Sequence, residues 1–120
     1  MAQKKKILIA EDEKSMANAL ELKLNKSGFE AKAVYDGEQA LTALTETNYD
    51  LMLLDLMMPK LDGFGVLEGI KKKNLKVKVI VTSNLSQEED IKRAKSLGAV
   101  DYIVKSDTPI QAIVEKIKKL

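Results

Sequence analysis

Apolar runs alternate with amphipathic stretches five times along this chain, and few folds tolerate that alternation. Short apolar runs separated by helical patterns are what a parallel sheet with crossover helices requires. The periodicity predicts strands over Ile7–Ala10, Ala31–Val34, Leu51–Leu54, Val77–Val81 and Tyr102–Val104. The first, third and fourth are almost unbroken in apolar character, as strands covered on both faces are. Helices are predicted near Ser15–Lys26, Glu38–Thr45, Phe64–Lys72, Gln87–Leu97 and Pro109–Lys119. The last puts Ile110, Ile113, Val114, Ile117 and Leu120 on one stripe, with Lys116, Lys118 and Lys119 mostly elsewhere.

The helix ends carry their own signals. Ser86-Gln87-Glu88-Glu89 and Thr108-Pro109-Ile110-Gln111 have the spacing of capping boxes, the second with Pro at the first helical position. Gly28 and Gly98 fall just past the first and fourth helices, where a left-handed residue closes a helix. Without repeats, linkers or low-complexity segments, the chain reads as one domain over residues 1–120. It ends on its fifth helix, so no DNA-binding or enzymatic output domain is expected within it.

Composition removes several classes of function. Apolar residues at 45% and charged ones at 32% fit a soluble globular chain. No apolar stretch approaches the ~20 residues that span a bilayer, and the run after Lys4-Lys5-Lys6 is too short for a signal-peptide core. With no Cys there is no disulfide framework or thiol nucleophile, and a reducing cytoplasm is the expected setting. With no His there is no Ser-His-Asp triad and no phosphohistidine on the chain itself. The net charge of +2 comes from 20 basic and 18 acidic residues. Lysine clusters at Lys4–Lys6, Lys71–Lys73 and Lys116, Lys118 and Lys119 read as solvated surface. One Arg, Arg93, three Tyr, two Phe and no Trp make a poor nucleic-acid interface.

Right-handed crossovers leave few topologies for five such units. In open sheets of this kind, ligands sit beyond the carboxyl ends of the strands, where the strand order reverses. For the order 2-1-3-4-5 that point lies between strands 1 and 3. Those strands end on Glu11-Asp12 and on Asp55. Two charges ~4 Å apart repel by roughly 4 kcal/mol at an effective dielectric near 20, so three carboxylates there call for a counter-charge. A divalent cation supplies it, and few carboxylates with room for water suit Mg²⁺. The fourth strand runs into Thr82-Ser83 and the fifth into Lys105, adding hydroxyls and an ammonium at the same end. Each residue alone is ordinary: a loop acid, a β-branched strand residue, a solvated lysine. The ordered set is a much narrower pattern.

Glu11-Asp12, Asp55 in Asp-Leu-Met-Met-Pro, Asp62-Gly63, Thr82-Ser83 and Lys105 follow one another as in the receiver domains of bacterial two-component response regulators, which the chain resembles over essentially its whole length. The resemblance implies a flavodoxin-like (βα)5 doubly wound α/β sandwich. It implies Asp55 as phosphoacceptor, with Mg²⁺ bound by Asp12, by Asp55 and by the Met57 main-chain carbonyl, and by Glu11 mostly through water. Thr82, Ser83 and Lys105 would contact the phosphoryl oxygens. Thr82 and Tyr102 would relay the change to a face made of the fourth helix, fifth strand and fifth helix. It further implies a sensor histidine kinase or phosphotransfer protein as donor, an output protein on that face, and a phosphorylation-dependent dimer. Such a chain is not an enzyme, apart from any hydrolysis of its own aspartyl phosphate.

Two positions depart from the family pattern. The lysine matching Lys105 is usually followed by proline, often through a cis peptide, but here Ser106 follows. A cis bond before a non-proline residue costs ~3–4 kcal/mol, so a trans Lys105–Ser106 bond is expected. Met57 stands over the site where a polar side chain is common. It also counts against an aspartyl-phosphate hydrolase, which usually has a second aspartate two residues after its nucleophile. A degenerate receiver acting only as a binding module is opposed by the intact acids, Thr82 and Lys105. The acidic turn Glu11-Asp12-Glu13 opposes a nucleotide-binding relative of the same architecture.

Overall fold

The computed structural model describes residues 4–120. Five parallel strands, β1 (Lys6–Ala10), β2 (Glu30–Val34), β3 (Leu51–Leu54), β4 (Lys78–Ser83) and β5 (Asp101–Val104), form one sheet in the order β2-β1-β3-β4-β5. The helices are α1 (Lys14–Lys26), α2 (Gly37–Glu46), α3 (Gly63–Lys72), α4 (Glu88–Ser96) and α5 (Ile110–Lys118), with a 3₁₀ turn over Lys105–Asp107. This is the α/β parallel sheet that the alternation predicts, in the flavodoxin-like arrangement that the resemblance implies.

The period of two along a strand divides the core. Ile7, Ile9, Leu51, Leu53 and Ile80 point to the layer of α1 and α5, against Leu20, Leu24, Ile113, Val114 and Ile117. Leu8, Ala10, Met52, Leu54, Val79 and Val81 point to the layer of α2, α3 and α4. Burying one such side chain contributes about 1.5–3 kcal/mol, and α5 buries three, Ile113, Val114 and Ile117, with Ile110 packed beside them. The layer under α4 is thinner, since Ala94 is the one buried residue of that helix.

Several boundaries differ from the sequence reading. β4 runs two residues further, through Thr82 and Ser83, because β5 pairs with it as far as Ser83 opposite Val104. Neither expected capping box forms. α4 is capped by Gln87 and α5 by Pro109, neither with a side-chain bond. Pro109 is extended (ψ 155), so it precedes the helix instead of starting it. Gly28 and Gly98 do adopt positive φ, +97 and +113. All described peptide bonds are trans, including Lys105–Ser106.

Candidate functional site

The sheet ladder fixes the acids side by side. The Asp55 N–H donates to the Ala10 carbonyl (3.0 Å) and the Glu11 N–H to the Val34 carbonyl (3.1 Å). Parallel pairing thus continues one residue past each strand, into the carboxylates themselves. Glu11 and Asp55 are buried, while Asp12 faces solvent. One carboxylate oxygen from each of Glu11, Asp12 and Asp55 lies within 4.8 Å of the others.

Lys105, the first residue of the 3₁₀ turn, reaches back into the cluster. Its Nζ donates to Glu11 Oε1 (2.7 Å) and to Asp55 Oδ2 (3.1 Å). The other oxygens are held by backbone: Glu13 N–H donates to Glu11 Oε2 (3.1 Å) and Met57 N–H to Asp55 Oδ1 (3.1 Å). Burial pushes the Glu11 carboxyl up to about 7; the Lys105 bond opposes this and the Asp55 charge adds to it. Burial works against the Lys105 charge, but its bond to Glu11 and the fields of Asp55 and Glu11 outweigh that and hold its pKa above the ordinary lysine value.

Around this centre, Thr82 and Ser83 are buried at the end of β4. Ser83 Oγ accepts from the Leu85 N–H (3.2 Å), and the Tyr102 hydroxyl donates to the Leu85 carbonyl. The β4–α4 loop is therefore tied to both β4 and β5. Burial raises the Tyr102 pKa, with Ser83 opposing and Asp90 and Asp55 adding. The Met57 side chain is 58% exposed and, with Met58, Pro59 and Leu85, lines a shallow apolar hollow that also includes Asp12 and Asp62.

Comparison with known proteins settles the family. A sequence profile of the response regulator receiver domain matches residues 7–118. The chain belongs to the response regulator receiver family. Among relatives of this receiver, the probable transcriptional regulator ycf27 of Porphyridium aerugineum is 38% identical over 123 residues, covering 98% of this chain and 51% of that protein. The chain spans about half the length of the curated relatives it matches. The receiver domain of Francisella response regulator 1452 superposes with a TM-score of 0.88 at 30% identity, over 96% of this chain and 94% of that one. The BeF3-activated DrrB receiver domain superposes at 0.84 with 26% identity, over 98% and 97%. The chain is thus a signalling domain of two-component systems rather than a conventional enzyme.

Of the residues singled out in the sequence, Glu11, Asp12, Asp55 and Lys105 converge on this receiver's pocket. Thr82, Ser83 and Tyr102 cluster around the β4–α4 loop beside it, and Met57 contributes its N–H to Asp55. Asp62 has a role that the sequence reading missed: it caps α3, its Oδ1 accepting from Gly65 N–H (2.8 Å). Asp36 does the same for α2 through Gln39 N–H (2.8 Å). An aspartate followed by Gly, with the helical pattern just beyond, was the available signal in both cases.

The donor set tests the fit of a metal. Three carboxylates, no nitrogen or sulfur donor, and one acid open to water match the hard-oxygen, partly hydrated coordination of Mg²⁺. Among the described residues no helix is long and apolar enough to cross a membrane.

Proposed function

We propose that this receiver is a phosphorylation-driven switch in which Asp55 accepts a phosphoryl group from a phosphohistidine of a sensor kinase or phosphotransfer protein. An Asp55 carboxylate oxygen attacks phosphorus in line, the O–P bond forms, and the P–N bond to the donor imidazole breaks. The imidazole then takes a proton from solvent. Phosphoryl transfer asks mainly for positioning and charge neutralisation, and the observation that carries the reading is the Glu11–Asp12–Asp55 cluster with Lys105 bonded to two of its members.

Each residue has a part. Met57 N–H holds Asp55 Oδ1, which leaves Oδ2, bonded to Lys105, as the oxygen that meets the incoming phosphorus. Lys105 moves its bond from Asp55 to a phosphoryl oxygen as the aspartate's negative charge becomes part of an acyl phosphate. Mg²⁺, held by Asp12, Asp55 and the Met57 main-chain carbonyl, with Glu11 acting through water, would offset charge on the phosphoryl oxygens. The Thr82 hydroxyl and Ser83 N–H take the remaining oxygens. As Thr82 turns inward, the Ser83–Leu85–Tyr102 bonds transmit the change to α4, β5 and α5, where the output protein or a second receiver docks.

The test is Mg²⁺-dependent labelling by acetyl phosphate. Wild type is expected to gain one phosphoryl group, and Asp55→Asn none. Equal labelling of both proteins would overturn the acceptor assignment. No labelling of wild type would favour a receiver that only binds partners.

A further inference from the structure

β2 is an edge strand of the sheet. Glu30 N–H donates to the Lys5 carbonyl and Glu11 N–H to the Val34 carbonyl, and this register turns the peptide groups of Glu30, Lys32 and Val34 toward β1. The peptide groups between them, those of Ala31, Ala33 and Tyr35, therefore face outward, where an edge strand ordinarily offers itself to another chain. All three outward N–H groups are already taken by side-chain oxygens. Ala31 N–H donates to Asn25 Oδ1 (2.9 Å), Ala33 N–H to Glu21 Oε2 (2.7 Å) and Tyr35 N–H to Gln39 Oε1 (3.0 Å). Asn25 Nδ2 in turn donates to the Ala31 carbonyl (3.1 Å) and to the Glu21 carbonyl of its own helix (2.8 Å). Glu21 and Asn25 stand one turn apart on α1, and Gln39 lies in the first turn of α2.

Satisfying single peptide groups is the ordinary role of such side chains, and at an exposed edge water does the same. Covering every outward donor of one strand, from two separate helices, also denies that edge to a second strand.

We propose that Glu21, Asn25 and Gln39 close the β2 edge in place of a neighbouring strand, and that the partner they exclude is a second copy of this chain. The edge is complementary to itself. In an antiparallel pair with its two-fold axis at Ala33, Ala33 faces Ala33 of the second copy and Ala31 faces its Tyr35. Every outward N–H then meets a carbonyl, and the two sheets join into one. A groove of about 500 Å³ lies open between β2 and α2, which leaves a second strand room to approach. β2 and β5 are opposite edges of the sheet, so this pairing is distinct from any on the face of α4, β5 and α5. None of the three closing residues belongs to the acidic cluster, so the closure acts separately from Asp55.

The test opens the edge in the full chain by combining Glu21→Ala, Asn25→Ala and Gln39→Ala. A control, Glu21→Gln with Gln39→Glu, keeps an oxygen acceptor at both places. Each protein is followed by amide hydrogen exchange and by sedimentation velocity, with circular dichroism to check folding. In dilute solution the amides of Ala31, Ala33 and Tyr35 are expected to exchange about fivefold faster in the triple variant than in wild type or control, the factor that a hydrogen bond of ordinary net strength gives. Toward millimolar concentration the triple variant is expected to dimerise and to regain protection at those three amides, while wild type and control gain none there. Adding Ala33→Pro removes the central outward donor without touching the ladder to β1, and is expected to abolish the dimer. If the triple variant does not fold, Asn25→Ala alone gives the same two readouts, with exchange followed at Ala31. The proposal is overturned by equal exchange in wild type and the opened variant, by an opened variant that stays monomeric at millimolar concentration, or by a dimer that survives Ala33→Pro.

Discussion

At the scale of single residues, the pocket balances three negative groups against one lysine, and Glu11 is where the imbalance appears. With its carboxyl pushed up to about 7 by burial, against an ordinary value near 4.5, Glu11 holds a proton in the folded protein that the unfolded chain releases. Between those two values the metal-free fold therefore loses stability as pH rises, and above about 7 the loss is complete. Urea denaturation from pH 4.5 to 8 is expected to show this slope in wild type and a flatter one in Glu11→Gln. Identical slopes would contradict it. Protons also compete with the cation, so Mg²⁺ affinity is expected to fall below pH 7, by up to about tenfold per unit if Glu11 must ionise; calorimetric titration at pH 6 and 8 checks this. The placement of Glu11, Asp55 and Lys105 at one end of the sheet was legible in the sequence because each stands immediately after an apolar run, with Asp12 next to Glu11. The shift at Glu11 was not, because it depends on how deeply the end of β1 is buried.

At the scale of elements, the site rests on how closely the β3–α3 connection folds back on itself. Gly63 N–H donates to the Leu56 carbonyl (2.9 Å), and a Cβ on Gly63 would lie 2.6 Å from both the Asp55 carbonyl oxygen and Leu56 Cα. Only backbone movement could relieve that contact, and the backbone concerned carries Asp55. Gly63→Ala is therefore expected to cost about 1–3 kcal/mol, as overpacking does, and to slow labelling by acetyl phosphate. Denaturation and labelling rates both equal to wild type would refute the argument. Element order was readable from periodicity alone, and each helix start fell within one residue of its observed place, whereas the helix caps were not readable. Ser86 and Thr108 had the spacing of caps, yet tertiary placement starts α4 and α5 after Gln87 and Pro109. Lys60 takes φ +69 without any residue-type signal, while Asn74, at φ +54, is a type that tolerates it. The 3₁₀ turn that begins at Lys105 had no signal in the sequence reading.

For the molecule as a whole, a metal bound at the pocket would link it to the stability of the fold. A ligand that binds only the folded state stabilises it by mass action, by roughly 1.4 kcal/mol at ten times its dissociation constant, or a few degrees in a domain of this size. Mg²⁺ is expected to raise the melting temperature of wild type and to do so far less in Asp12→Asn. Asp12 is exposed, so its substitution leaves packing intact; an equal rise in both proteins would place the ion elsewhere. The central claim is narrower still, that among 18 acidic side chains one alone takes the phosphoryl group. Borohydride reduces an aspartyl phosphate to homoserine, which peptide mass mapping locates across the entire chain. After treatment with acetyl phosphate and Mg²⁺, homoserine is expected at position 55 and nowhere else. Homoserine at any other aspartate, or a phosphorylated chain with Asp55 unchanged, would contradict the account.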